Sequence, residues 1–457
     1  MKNLLEKLFH LKENKTDFKT EVIAGITTFM TMAYILAINP RMLGDAGMDG
    51  NAVLLATCIA SALGTLLMAF MANLPFALSA GMGLNAFFAY TVVNTMGYSW
   101  QVALLAVFIE GIIFILLSVT NVREAVFNAI PISLKKAVSA GIGVYIAFIG
   151  LQNCGLCVNE DSTLVTIIRF PEHFSTAGIS ALLALVGTLI TAVLYFKRVK
   201  GSILLGIFIT WGLGILCQLT GIYTVDAASG YYTLLPKLEM TDFSALSKTF
   251  GQCFKADFTD VSLFNFIVVI CSFLFVDFFD TLGTLVGVSA KAKMLDANGR
   301  LPKIKPALLA DAVATSAGAV LGTSTTTTFV ESATGISAGG KTGLTAVVTG
   351  ILFLLSMFFS SVFTAIPAFV TAPALIVVGF LMFSTIAEIS FREEDFTESV
   401  PAYLCVIAMP LFYSISEGIS IGFISYTVIN AFSGKAKRVR PLMYVLSVLF
   451  ILKYIFL

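Results

Sequence analysis

The sequence predicts an all-α polytopic membrane protein. Charge is too sparse for water, the apolar residues fall into segments of membrane-crossing length, and the basic residues sort to one side of those segments. Of 457 residues, 58% are hydrophobic and 12% are Asp, Glu, Lys or Arg, and the mean hydropathy is +0.93. A water-soluble surface calls for about 25% charged residues. Forty Phe and 36 Gly suit lipid-facing bulk and close helix packing. A net charge of +1 excludes a nucleic-acid binder relying on bulk positive charge. Seven Cys fit neither a disulfide scaffold nor a four-ligand zinc pattern, and two His leave little room for His-based metal or triad chemistry.

The first twenty residues are mixed-charge and amphipathic rather than a cleavable signal, so insertion is led by the first internal span. A crossing helix needs about 20 apolar residues. Such stretches lie near 22–42, 52–72, 76–97, 100–120, 135–153, 177–197, 202–222, 262–286, 306–322, 324–339, 342–364, 367–389, 400–414 and 416–433, fourteen in all. A further apolar stretch, 441–457, is short and interrupted by Lys453, which leaves a fifteenth span and an interfacial helix both open. With a cytoplasmic N-terminus, 22 Lys and Arg fall inside and 5 outside, the asymmetry expected of a correctly counted chain.

Val126-Phe-Asn-Ala-Ile-Pro131 recurs as Val362-Phe-Thr-Ala-Ile-Pro367, leading into spans 5 and 12. A weaker match aligns Ala56, Ala60, Gly64 and Leu67 of span 2 with Ala310, Ala314, Gly318 and Leu321 of span 9. Both are seven spans apart, and an odd offset inverts the second half, so the expected plan is a 7+7 inverted repeat. Spans 3 and 10 are the interrupted pair. Pro75, Gly81 and Gly83 break span 3, while the β-branched run from Thr325 to Val330 reads as extended backbone before a half-helix beginning near Glu331. Extended backbone at membrane depth must pair or line a wet cavity. The two segments are therefore expected to pair as short antiparallel strands, aiming two half-helix N-termini at one pocket.

Ionised carboxylates near the bilayer centre cost about 2.5–3.5 kcal/mol on translocon scales and need a reason to be there. Asp277 and Asp280 share a helix face of span 8, and Glu331 starts a half-helix. Two nearby carboxylates in a low dielectric favour protonation, as a proton-coupled carrier requires, and Glu331 can accept ligand N–H groups. Glu110 and Asp311 lie outside the interrupted segments and read as structural. Cys154-Gly-Leu-Cys157 reads as an incidental or disulfide-forming pair in an outside loop, and no nucleotide-binding loop occurs.

Four motifs together resemble the AzgA-like purine permeases of the nucleobase cation symporter superfamily, relatives of the uracil and xanthine permeases. They are Gly25-Ile-Thr-Thr-Phe-Met-Thr-Met-Ala-Tyr34, Gly81-Met-Gly-Leu-Asn-Ala-Phe87, Asp277-Phe-Phe-Asp-Thr-Leu-Gly283 and Thr325-Thr-Thr-Thr-Phe-Val-Glu-Ser332. The resemblance runs from about residue 18 to the C-terminus. It implies a core domain (1–120 and 259–366, spans 1–4 and 8–11) and a gate domain (121–258 and 367–457, spans 5–7 and 12–14 with the last apolar segment) moving as an elevator. It also implies uptake of hypoxanthine, guanine or adenine with a proton. By motif position Glu331 looks like the purine-binding carboxylate, Asp277 and Asp280 like acids that bind purine and couple the proton, and Asn85 like a functional Asn with Gly83 beside it. Phe76 is a ring-stacking residue by analogy with the uracil branch, and Ser332 adjoins Glu331 in the substrate set. The implied partners are a purine nucleobase, a proton and the lipid bilayer, with no nucleic acid and room for a homodimer. The driving force is a proton gradient rather than a cofactor or metal, the location the plasma membrane, and the chain is not an enzyme. Competing readings are a uracil, xanthine or anion transporter of the same fold, an intramembrane aspartyl protease, and a channel. A protease should carry its acids on different helices with a GxGD motif, and an anion carrier a basic or neutral residue at Glu331.

Overall fold

The computed structural model describes residues 2–119, 130–160, 162–226, 231–235, 240–259, 261–291, 294 and 301–456. Among them ten helical segments are long and apolar enough to cross a membrane, from Phe18–Gly44 to Ile415–Phe432. Spans 8 and 13 have shorter apolar stretches, Leu263–Phe278 and Phe396–Leu411. Spans 3 and 10 are strand–helix pairs. Four short strands occur among the described residues, in chain order: β1 (Leu78–Ala80), β2 (Cys157–Glu160), β3 (Leu164–Ile167) and β4 (Thr326–Thr328). β2 and β3 form a hairpin after span 5. Cys154 and Cys157 beside it are free thiols.

The inverted repeat is visible at contacts between equivalent residues. β1 pairs antiparallel with β4, Ser79 opposite Thr327. Pro131 and Pro367 each immediately precede a helix, Ile132–Asn153 and Ala368–Phe383; residues 126–129 of the first hexapeptide copy lie outside the described residues. Twelve residues past each proline stand Gly143 and Gly379. A Cβ on either would come within 2.4 Å of the other's carbonyl oxygen. Small residues allow this backbone approach where lipid gives no hydrophobic drive for helix association. Spans 2 and 9 repeat the logic. Ser61 bonds Ser79 of β1 at 2.7 Å, and its counterpart Thr315 donates to the Thr326 carbonyl of β4 at 2.9 Å.

Two packing groups result. Spans 1, 2, 4, 9 and 11 pack among themselves, as do spans 5, 6, 7, 12, 13 and 14. In the first group Glu21, fully buried, accepts backbone N–H groups of Lys341, Thr342 and Thr345 at 3.0–3.3 Å and the Thr345 hydroxyl at 2.6 Å. This caps span 11, where a carboxylate is favoured by the orphan N–H groups. An aromatic cluster joins the groups: Tyr413, at φ +51°, lies against Tyr90, Tyr145 and Phe148. The Tyr90 hydroxyl donates to Asp45 at 3.0 Å and accepts from Asn153 at 3.3 Å.

Loop contacts agree with the span order. Lys341 donates to the Lys15 carbonyl, and Lys136 pairs with Glu388 at 3.1 Å; all four positions are expected on one face. Lys248 pairs with Asp49 at 2.6 Å on the opposite face. The last helix, Pro441–Phe456, runs antiparallel along span 14. Ser447 meets Thr427 at 2.7 Å, Phe450 packs on Phe423, and Tyr454 bonds Glu417. The last helix thus keeps alongside span 14 over much of its length.

Gly379→Ala should force spans 5 and 12 apart at a cost of about 1–3 kcal/mol. A lower melting temperature of the detergent-purified protein is the expected reading; an unchanged one would show that the Gly143 contact is slack.

Candidate functional site

The site is built where the repeats meet. β1 and β4 are fully buried, and their ladder continues through Gly81 N–H to the Thr325 carbonyl and Phe329 N–H to the Ala77 carbonyl, each 3.0 Å. The chain then turns into helix on both sides: Met82–Ala86, continued by π-helix Phe87–Thr95, and the single turn Ser332–Ser337. Gly81 is required at its junction, since a Cβ there would lie 2.7 Å from Thr327 Cγ2. The same point is 3.4 Å from Asp280 Oδ2, so the glycine lets this carboxylate approach the strands.

The acids divide by environment. Glu331 is half-buried and its Oε1 accepts the Tyr34 hydroxyl at 2.5 Å. Asp280, also half-buried, lies within electrostatic reach of Asp277 and Glu331. Asp277 is fully buried one turn away. The Thr281 hydroxyl stands 2.9 Å from Asp277 Oδ1, 3.2 Å from Asp311 Oδ2 and 2.8 Å from the Thr327 hydroxyl. This cluster stitches spans 8 and 9 to β4. Glu110, likewise buried, accepts the Thr325 hydroxyl at 2.8 Å.

The other residues singled out by the sequence fall around this centre. Ser332 is buried, and its Oγ accepts the Ala77 N–H at 3.0 Å, tying the second half-helix to β1. Asn85 is buried; its Oδ1 accepts from Ser324, and its Nδ2 has no partner among the described residues. Gly83 faces away from the acids, its Cβ position 2.9 Å from Ile142 of span 5 and 3.6 Å from Ile415 of span 14. Phe76 is wholly enclosed in the apolar core, with no ring face open. Tyr34, Thr281 and Asp311 stand in this constellation, although the motifs that contain the first two give them no role of their own and the third reads from the sequence as structural. For Asp311 the available signal is its place on span 9, the repeat partner of span 2, which flanks β1.

Residues 19–421 match the model of the Permease family of xanthine and uracil permeases. The chain belongs to that family. The permease is 44% identical to a guanine/hypoxanthine permease of Bacillus subtilis (strain 168) over 99% of this chain and 100% of that one. It is 40% identical to an adenine permease of Escherichia coli (strain K12), over 99% and 96%. Among solved structures it resembles the transmembrane domain of a cyanobacterial bicarbonate transporter, BicA, with TM-score 0.64 and 12% identity, covering 88% of this chain and 96% of that one. It also resembles a murine Solute Carrier 26 anion transporter in its inward-facing state, with TM-score 0.60 and 10% identity, covering 95% and 72%. At such identities the likeness carries the architecture alone, and that architecture is the 7+7 inverted repeat.

Chemically, two half-buried carboxylates beside a backbone junction can accept hydrogen bonds from a polar, N–H-bearing ligand. Behind them, Thr281 separates two further carboxylates. Thr281→Val should remove that hydroxyl and cost about 1–3 kcal/mol, whereas Thr281→Ser keeps it. Melting temperatures of the two variants, Val falling and Ser near the parent, check this.

Proposed function

We propose that this permease is a secondary active transporter taking up purine nucleobases, hypoxanthine, guanine or adenine, with a proton. The observation that carries the reading is the meeting of Glu331, Asp280 and Asp277 at the β1–β4 junction, in a chain whose full-length relatives include guanine/hypoxanthine and adenine permeases. Purines present ring N–H groups, which a carboxylate accepts more strongly than a neutral group does. Glu331 is the substrate acceptor, and Asp277 and Asp280 carry the proton, with Ser332 and Asn85 holding the strands and half-helices around them.

Proton coupling is supported by the Thr281 contacts. A hydroxyl has one hydrogen, so two ionised carboxylates at Thr281 would have to share it, whereas a proton on one of them gives each acid a full hydrogen bond. Asp311 thereby joins the coupling set. The proton lowers the charge of the pocket and the substrate's N–H groups compensate the carboxylate that remains, whereas an uncompensated carboxylate resists transfer through an apolar barrier. Residues 1–120 and 259–366 form the moving core and 121–258 and 367–457 the gate, in keeping with the two packing groups. The gradient lies across the plasma membrane, with the N-terminus cytoplasmic.

The test is uptake of each radiolabelled purine in a permease-deficient cell, with unlabelled competitors and a protonophore. Loss of a charged hydrogen bond in Glu331→Gln should lower apparent affinity about 10- to 100-fold. Undiminished uptake by this variant would remove Glu331 from the site. Asp280→Asn should still equilibrate substrate but lose accumulation driven by the gradient. If the protonophore leaves accumulation by the parent chain untouched, proton symport is wrong.

A further inference from the structure

Span 1 runs from Phe18 to Gly44 with one irregular step at Ala33–Tyr34, between Phe18–Met32 and Ile35–Gly44, where both residues keep right-handed helical dihedrals. Tyr34 is fully buried, and its hydroxyl meets Glu331, at the start of the span-10 half-helix, from 297 residues away in sequence. Two neighbouring contacts hold the same two elements together. The Thr31 and Thr334 hydroxyls lie 2.9 Å apart, Thr334 also donating within its own half-helix to the Glu331 carbonyl at 2.7 Å. Gly335 is packed so closely that a Cβ would lie 2.0 Å from Thr28 Oγ1. Tyr34 therefore approaches the carboxylate from a rigid platform, and among the described residues it is the one side chain that donates to it.

A free Glu side chain has three torsions, and ordering it on binding costs up to about 2 kcal/mol. A partner that fixes it beforehand removes that cost from each binding event. We propose that Tyr34 is the positioning residue of the substrate site, fixing Oε1 of Glu331 so that Oε2 meets the N–H edge of the planar base. This rests on the reading of Glu331 as the purine acceptor. The hydroxyl acts through the carboxylate, so its loss should weaken binding while leaving turnover at saturation intact.

The experiment compares the unmodified chain, Tyr34→Phe and Thr31→Val in radiolabelled hypoxanthine and adenine uptake, with melting temperatures of the purified full-length proteins. Phe fills the same volume without the hydroxyl; Thr31→Val breaks another contact between the same elements and leaves the carboxylate untouched. Tyr34→Phe should raise KM about tenfold with maximal rate within twofold of the parent, and Thr31→Val should leave KM unchanged. An unchanged KM in Tyr34→Phe overturns the assignment, as does an equal rise in both variants, which would mark general packing. If the unmodified chain takes up neither of these bases nor guanine, both this assignment and the purine reading fall. Uptake by the unmodified chain with a silent Tyr34→Phe removes this assignment alone.

Discussion

Three residue pairs of backbone hydrogen-bonding strand hold the centre of this molecule together. Helices satisfy their own N–H and C=O groups, so they can sit in lipid singly; an extended segment cannot. β1 finds its partner in β4, and β4 in β1, each from the other half of the chain. This requirement explains several features at once. It places Ser61 and Thr315 where their hydroxyls reach the strands. It requires glycine at position 81. It also opens two helices at one level, so that side chains from spans 8 and 10 converge beside the strand–helix junctions rather than along continuous helix.

Much of this was legible in the sequence because the membrane imposes a strong, local rule. A crossing helix has to be apolar along its length, and every span left that mark, including the broken ones, where Pro75, Gly81 and the threonine run interrupt it. The hexapeptide repeat marked spans 5 and 12, whose glycines then meet. What remained hidden depends on which residues come together. Nothing around Tyr34 announces a partner at Glu331. Asp311 looks like an incidental charge until Thr281 is seen standing between it and Asp277. Phe76 is the converse case. An aromatic ring has no polar atom whose satisfaction reveals where it points, and here it points into the core. Gly83 lies two positions after Gly81, and those two steps carry it round to face spans 5 and 14.

The resemblance to bicarbonate and other anion carriers shows how far architecture and chemistry separate. A fold shared at 12% identity preserves the crossing helices and their connection order. It says nothing about the sign of charge a pocket prefers. In this permease the charged side chains that the described residues gather at the strand junction are carboxylates, each with its own surroundings: a phenol for Glu331, a threonine cluster for Asp277, a glycine-cleared gap for Asp280.

The strand pair also has a history in time. Some 250 residues separate β1 from β4, so β1 is made long before its partner exists, and closing so long a loop comes late in folding. Until then span 3 holds unsatisfied backbone that lipid will not solvate. The nascent first half must wait in a sheltered or wet environment while seven further spans are threaded, and neither half can be expected to mature as an independent unit. The same short ladder that shapes the pocket thus makes the arrival of span 10 the checkpoint for assembly of the centre.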